Sequence, residues 1–277
     1  RGLGDVYKRQ DLNRTAQLAP HIPAGKAIVS ESGIRDNHTV RRLGAHANAF
    51  LVGSQLTGTP DIDRACRELV FGSNKVCGLT SWSAAQAARA AGAIYGGLIF
   101  EDASPRNVSR ETAADIIAHE PDLSYVAVSR RTSGWEELAF DGIDVLQVHA
   151  PYQGSTEAEL DLIASVRAAA GERQVWRAID MTAPHGPSLA TALVDAADTL
   201  ILDSGPGGTG TSFDWSTIPT AVKEKSLLAG GLNPSNLTDA LSVGTIGLDL
   251  NSGVETNSRK DTGLIARAFD TIRHFTY

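Results

Sequence analysis

Lys75-Val-Cys-Gly-Leu79, then Ala84-Ala-Gln-Ala-Ala-Arg-Ala-Ala91, then Ile94-Tyr-Gly-Gly-Leu-Ile-Phe100 is the stretch that decides the fold. A short apolar run is followed by an alanine-rich stretch with apolar residues at helix spacing, and then by a second apolar run. The same alternation continues down the chain. Further candidate strands are Tyr125–Val128, Val145–His149, Val175–Ile179, Thr199–Asp203, Ser226–Gly230 and Gly247–Leu250, with helical stretches such as Glu157–Ala170 between them. Buried strands that alternate with helices imply a parallel sheet. Eight such units in about 200 residues fit a closed TIM (β/α)8 barrel, class α/β, at the lower end of its size range. An open, doubly wound sheet is the structural rival.

Upstream, residues 11–72 carry a shorter version of the pattern. Val29-Ser-Glu-Ser-Gly-Ile34, a helix, and Phe50-Leu-Val-Gly-Ser54 parallel Leu228-Ala-Gly-Gly-Leu232, a helix, and Leu248-Asp-Leu-Asn-Ser252. A repeat at about 200 residues suggests two related barrels in tandem. The first is present as its last two βα units only. Two strands cannot close a barrel and leave sheet edges uncovered, so this part is expected to be non-catalytic and marginally ordered. Gly72-Ser73-Asn74 marks the boundary, and residues 74–277 form the complete barrel. Residues 1–10 join no periodic element, and the only methionine is Met181. The sequence therefore reads as N-terminally incomplete, with residues 1–10 a non-family segment, disordered or foreign.

Composition narrows the function classes. The net charge of −7 argues against a nucleic-acid surface. It leaves anionic substrates open, since backbone N–H groups can hold a phosphate. Two cysteines, Cys66 and Cys77, make neither a disulfide framework nor a metal knuckle and fit a reducing cytoplasm. No apolar run approaches the ~18 residues of a membrane span, and no signal peptide is visible. A cytoplasmic monomer with no membrane or nucleic-acid partner is expected.

In a (β/α)8 barrel the active site forms at the C-terminal strand ends. Reactive and anion-binding residue types collect there: Cys77 in strand 1, Arg106 after strand 2, His149 ending strand 4, Arg177 in strand 5, Asp203 ending strand 6, and Asp249 in strand 8. Two glycine turns, Gly230-Gly231 and Ser252-Gly253, follow strands 7 and 8, where barrels commonly hold a phosphate. The bland alternative is that they only make tight turns. Gly205-Pro-Gly-Gly-Thr-Gly210, containing Gly208, reads as a mobile lid or a plain surface connection. Cys77 and Asp203 are the candidate acid–base pair. A thiolate can take a carbon-bound proton if its pKa is lowered, for which helix-terminal groups or cations such as Arg106 are the candidates. A carboxylic acid with a raised pKa can protonate a leaving oxygen. The alternatives are a small buried hydrophobe for Cys77 and a cap or turn residue for Asp203. His149, Arg177 and Asp249 also have structural readings, since buried charges in strands must be paired. No residue set has metal-ligand spacing.

Lys75-Val-Cys-Gly-Leu-Thr80, Ser104-Pro-Arg106, Leu202-Asp-Ser204, Gly207-Gly-Thr-Gly210 with Phe213-Asp-Trp215, Leu228-Ala-Gly-Gly231 and Leu248-Asp-Leu-Asn-Ser-Gly-Val-Glu255 together resemble phosphoribosylanthranilate isomerase, in the family's order, across residues 75 to about 275. Asp11-Leu-Asn-Arg-Thr15, Ser30-Glu-Ser-Gly-Ile34 and Phe50-Leu-Val-Gly-Ser54 resemble the C-terminal end of indole-3-glycerol-phosphate synthase. The order is similar to that of the bifunctional enzyme of bacterial tryptophan biosynthesis. The resemblance implies an aldose–ketose (Amadori) rearrangement without metal or organic cofactor. It makes Asp203 the general acid and Cys77 the general base, and has Arg106 hold a carboxylate. Gly208, Gly230, Gly231, Ser252 and Gly253 would serve a phosphate, and His149, Arg177 and Asp249 would line the substrate pocket. It implies no synthase (lyase, decarboxylase) activity, because only Ser30 and the Gly53-Ser54 turn carry over from that family's site. The chain departs from the isomerase pattern at Ala150, Arg177 and Ser129, where glycine, lysine and an aromatic are usual.

Overall fold

The computed structural model describes residues 13–31, 33–205 and 212–277; the expectations for residues 1–10 and for the Gly208 loop lie outside them. The described residues divide into two compact units. One runs to Gly72 and includes His274–Tyr277, and the other is Ser73–Arg273.

The first unit comprises α1 (Asn13–Leu18), β1 (Val29–Glu31), α2 (Asn37–Gly44), β2 (Ala49–Leu51), α3 (Ser54–Thr57) and α4 (Ile62–Phe71). β1 and β2 pair in parallel, with Ser30 opposite Phe50. Both longer helices begin at an aspartate cap. Asp36 accepts from the Thr39 N–H at 2.7 Å and Asp61 from the Arg64 N–H at 2.8 Å. Asn37 then donates to the Leu69 and Val70 carbonyls and ties α2 to the end of α4. These are the two βα units expected from the sequence pattern.

The second unit alternates β3 (Lys75–Val76), α5 (Trp82–Ala91), β4 (Tyr95–Ile99), α6 (Arg110–His119), β5 (Ser124–Ser129), β6 (Ile143–Val148), α7 (Thr156–Ala170), β7 (Gln174–Asp180), α8 (Gly186–Leu193), β8 (Thr199–Asp203), β9 (Ser226–Leu228), α9 (Leu237–Ser242) and β10 (Gly247–Leu250). A hairpin of β11 (Glu255–Thr256) and β12 (Arg259–Lys260) precedes the closing helix α10 (Thr262–His274). All eight strands from β3 to β10 pair in parallel and the sheet closes on itself, β10 against β3. Closure removes the doubly wound rival. α5, α6 and α7 start at Ser81, Ser109 and Ser155, each accepting from the N–H three residues on.

Inside the ring lie Val126, Val128, Val145, Trp176, Ala178, Ile201, Leu227 and Ala229, with Cys77 among them. Tyr95 meets Trp176 edge-on at 4.7 Å. Side chains alternate along a strand, so Arg177, between two inward residues, points out of the ring. It makes a buried, two-pronged pair with Glu159 of α7, at 2.7 and 2.8 Å, and donates to the carbonyls of Val148, Pro151 and Ala178. Its donors are therefore spent on scaffold. Removing one partner of such a pair strands the other charge, at a cost of about 3–5 kcal/mol, whereas replacing both with apolar groups is nearly neutral. Urea unfolding should show Arg177→Met destabilised on that scale. The double variant Arg177→Met with Glu159→Leu should recover most of the loss.

Candidate active site

The strand ends from β3 to β10 open on a cavity of about 370 Å³. Cys77, Ile99, Val128, Gln147, His149, Asp203, Ala229 and Asp249 reach it from the strands or from the residue just beyond them, and Glu101, Ser104 to Arg106, Gly230 to Leu232, Asn251 and Ser252 reach it from the loops. Of the residues singled out in the sequence, Cys77, Arg106, His149, Asp203, Asp249, Gly230, Gly231 and Ser252 line this one cavity. Arg177 does not; it serves the strand–helix pair described above. Gly253 sits beside the lining, where a Cβ would collide with the Leu232 carbonyl, so close packing explains the glycine. Gly208 lies outside the described residues.

Lys75, two residues before Cys77 on the same strand, places its Nζ 2.7 Å from Asp249 Oδ2. Burial works against the lysine's charge, but Asp249 and Cys77 outweigh it and hold Lys75 above its ordinary value. The ammonium is thus the fixed charge of the couple, and burial pushes the Asp249 carboxyl up against it. The other Asp249 oxygen, Oδ1, is buried without a protein partner, as is Oε1 of Gln147, so two acceptors on this wall are left unmatched by the protein.

Cys77 departs from expectation. Burial pushes its thiol up rather than down, and the opposing cations are Lys75 and Lys260. Arg106 is engaged elsewhere: its guanidinium grips Glu255 through Nε at 2.8 Å and Nη2 at 2.6 Å. Asp203 follows the expected direction. Burial lifts its carboxyl to about 6, against the Ser204 N–H that bonds Oδ1 at 2.7 Å, with Asp249 adding to the rise. His149 Nε2 stands 3.6 Å from Asp203 Oδ2. Burial and the nearby cations Lys75, Arg177 and Arg130 drop its pKa to about 4, so at neutral pH the imidazole is uncharged and the contact is not an ion pair. After β9, Gly230 adopts φ +84, and a Cβ there would meet Ser204 Oγ at 2.5 Å and its backbone nitrogen at 2.7 Å. Glycine is thus required where the turn packs against the end of β8.

Several site residues carry no signal by residue type alone: Lys75, Gln147, Glu101, Arg130, Asn251, Glu255 and Lys260. Alternation along β3 and β6 puts Lys75 and Gln147 two residues before Cys77 and His149 on the same face, which is the one clue the sequence offers to them. Ser129, where the usual aromatic is missing, donates to Glu101 at 2.6 Å, and Glu101 also accepts the Arg130 N–H.

A closed parallel barrel with a thiol, a carboxyl and glycine turns on its C-terminal rim defines the class: a (β/α)8-barrel enzyme. Residues 74–271 match N-(5'phosphoribosyl)anthranilate (PRA) isomerase, and the chain belongs to that family. Residues 8–69 match indole-3-glycerol phosphate synthase. A tryptophan biosynthesis protein TrpCF of Corynebacterium glutamicum is 59% identical over 96% of the chain, which covers 58% of that protein. The chain thus spans little more than half the length of the curated relatives it matches. Among solved structures, phosphoribosyl anthranilate isomerase from Thermus thermophilus is 26% identical, with a TM-score of 0.60 over 72% of this chain and 96% of that one. TrpF from Jonesia denitrificans is 28% identical, with a TM-score of 0.57 over 73% and 97%. Among the described residues, no group of three His, Cys, Asp or Glu side chains is placed to hold a metal, and no helix is long and apolar enough to cross a membrane.

The raised Asp203 pKa sets a stability test. A carboxyl with a folded pKa near 6 and an ordinary value of 3.8 favours folding most below 3.8, and that contribution is lost as pH rises through 6. A rise of that size corresponds to roughly 3 kcal/mol. Asp203→Asn, which cannot ionise, should therefore resist urea better than the parent at pH 8. The gap should hold level down to pH about 6 and narrow as pH falls below that toward 3.8.

Proposed function

We propose that the chain catalyses the Amadori rearrangement of N-(5'-phosphoribosyl)anthranilate to 1-(2-carboxyphenylamino)-1-deoxyribulose 5-phosphate by general acid–base chemistry. The observation that carries this reading is the joint placement of Cys77 and Asp203 in one cavity beside the glycine turns. Asp203 donates a proton to the ribose ring oxygen as the C1′–O bond breaks, and the anthranilate nitrogen supplies electrons to form a Schiff base. Cys77 as thiolate then removes the C2′ proton, leaving an enolamine that tautomerises to the ketone. The phosphate sits on backbone N–H groups at Gly230, Gly231, Ser252 and Gly253. Arg106 meets the carboxylate. Asp249 Oδ1 and Gln147 accept from sugar hydroxyls, which supply the donors those oxygens lack in the protein. Neutral His149 hydrogen-bonds without adding charge. Only proton transfers are needed, so no cofactor enters, and the chain acts as a cytoplasmic monomer on this small phosphorylated substrate.

The two pKa directions make this a reverse-protonated pair. Near neutrality the resting site holds its proton on sulfur rather than on carboxyl, while the reactive form holds it on Asp203 and leaves a thiolate steadied by Lys75 and Lys260. Both forms carry one proton, so their ratio is constant between the two pKa values. The profile of kcat/KM against pH is therefore expected to be a broad bell. Its acid limb falls below about 6, where both groups are protonated, and its alkaline limb lies above the ordinary thiol value of 9.0. An acid limb that stays at 6 in Asp203→Asn would detach that limb from Asp203.

Loss of substrate fluorescence tests the activity directly. Cys77→Ala and Asp203→Asn should each slow turnover by about 10²–10⁴-fold with the circular dichroism unchanged. An indole-glycerol-phosphate assay run on the same 277-residue chain should stay silent, since its synthase-like part contributes two strands among the described residues. Synthesis of indole-glycerol phosphate, or full turnover by either variant, would overturn the corresponding part of the reading.

A further inference from the structure

We propose that Glu255 and Lys260 are positioning residues for carboxylate recognition. Buried Lys260 holds Glu255, Glu255 grips one edge of the Arg106 guanidinium, and the trio presents the remaining edge to the cavity with one net positive charge. The proposal rests on the reading of Arg106 as the group that meets the substrate carboxylate.

The geometry begins with a hairpin. Glu255 opens β11 and Lys260 closes β12, directly opposite each other in the antiparallel register. The two-residue turn between them, Asn257-Ser258, has φ of 53 and 59, the doubly left-handed form that hairpins of this length favour. Opposite residues on such a pair project to the same side, which brings the ammonium onto the carboxylate. Lys260 Nζ bonds Glu255 and, at 2.9 and 3.2 Å, the side chain and carbonyl of Asn251. The lysine side chain is 1% exposed and the glutamate 5%, while Arg106 is 13% exposed at the cavity. Solvent screening is thus weak for the inner pair.

Two consequences follow. Glu255 occupies Nε and Nη2 of the guanidinium, so the fork turned toward a ligand is the Nη1 side, and its direction is set from behind. Gly78, immediately after Cys77, leaves room for this arrangement. Its φ is +72, and a Cβ would sit 2.6 Å from Arg106 Cδ and 3.0 Å from Asn251 Oδ1. Charge is the second consequence. Arg106 and Glu255 alone would be neutral, and an arriving carboxylate would feel the glutamate as well as the arginine. Two cations around one carboxylate leave a single positive charge, matched to a single carboxylate.

The test compares phosphoribosylanthranilate with its decarboxylated analogue, in which aniline replaces anthranilate. Lys260→Met should lower the ratio of kcat/KM for the two substrates about tenfold or more, through KM for the carboxylated one. Lys260→Arg should restore the ratio. Lys260→Met combined with Glu255→Gln, which again leaves Arg106 with one net positive charge, should restore most of it. A loss shared equally by both substrates, with the ratio unchanged, overturns the proposal. If circular dichroism shows Lys260→Met unfolded, Lys260→Gln deletes the same charge while keeping a polar head for Glu255 and Asn251. If the parent chain turns over neither substrate, the isomerase reading fails. Anthranilate binding, followed by its own fluorescence, then decides: weakening by about tenfold in the Lys260 variant supports the trio, and unchanged affinity overturns it.

Discussion

A lysine and an aspartate meet across the seam where the first and last strands of the barrel join. Lys75 stands opposite Asp249 in the β3–β10 register, and their side chains pair at 2.7 Å inside the ring. A parallel sheet closes only if those two edges find each other, and here the closing contact is also the charge beneath the cavity. Neither residue would be tolerated there alone, because burying an unpaired ion costs several kcal/mol. The charge of the same ammonium opposes the burial that holds the proton on sulfur. Closure of the fold and electrostatics of the site thus share one contact.

Burial sets the tone of the rest of the rim. It raises Asp203, lowers His149 and raises Cys77, in each case against the charged form. The result at neutral pH is a cavity with an uncharged thiol and imidazole beside the Asp203 carboxylate, and with permanent cations at its edges: Lys75 below and the Arg106–Glu255–Lys260 cluster at the side. Such an arrangement suits chemistry in which protons move and charge develops transiently, since pre-aligned cations need not reorganise when a thiolate forms. A raised carboxyl also lowers stability at neutral pH, because the folded site holds that charge against burial.

Much of the fold was legible because its signals are local. Alternating apolar and alanine-rich runs report strand and helix within ten residues. The rim residues Cys77, Arg106, His149, Asp203 and Asp249 were legible because a barrel places strand ends in one plane, so position in the strand predicts position in the site. Arg177 broke that rule. A run that is buried on both faces does not say which residues point inward, and Trp176 and Ala178 take the inside. The expected lowering of the Cys77 thiol failed for a related reason: a nearby cation in sequence motifs says nothing of how dry the site is or where that cation's hydrogen bonds are spent.

By itself, the amino-acid sequence determined the number of βα units, the parallel sheet and the chemical types gathered on its rim, because each depends on periodicity or on position within a strand. The tertiary structure alone decided which of those side chains share a cavity, which way each pKa moves, and that Arg106 is held by Glu255 from 149 residues away. Those depend on depth of burial and on contacts between loops distant in the chain. No local pattern encodes either one; both exist only once the ring has closed.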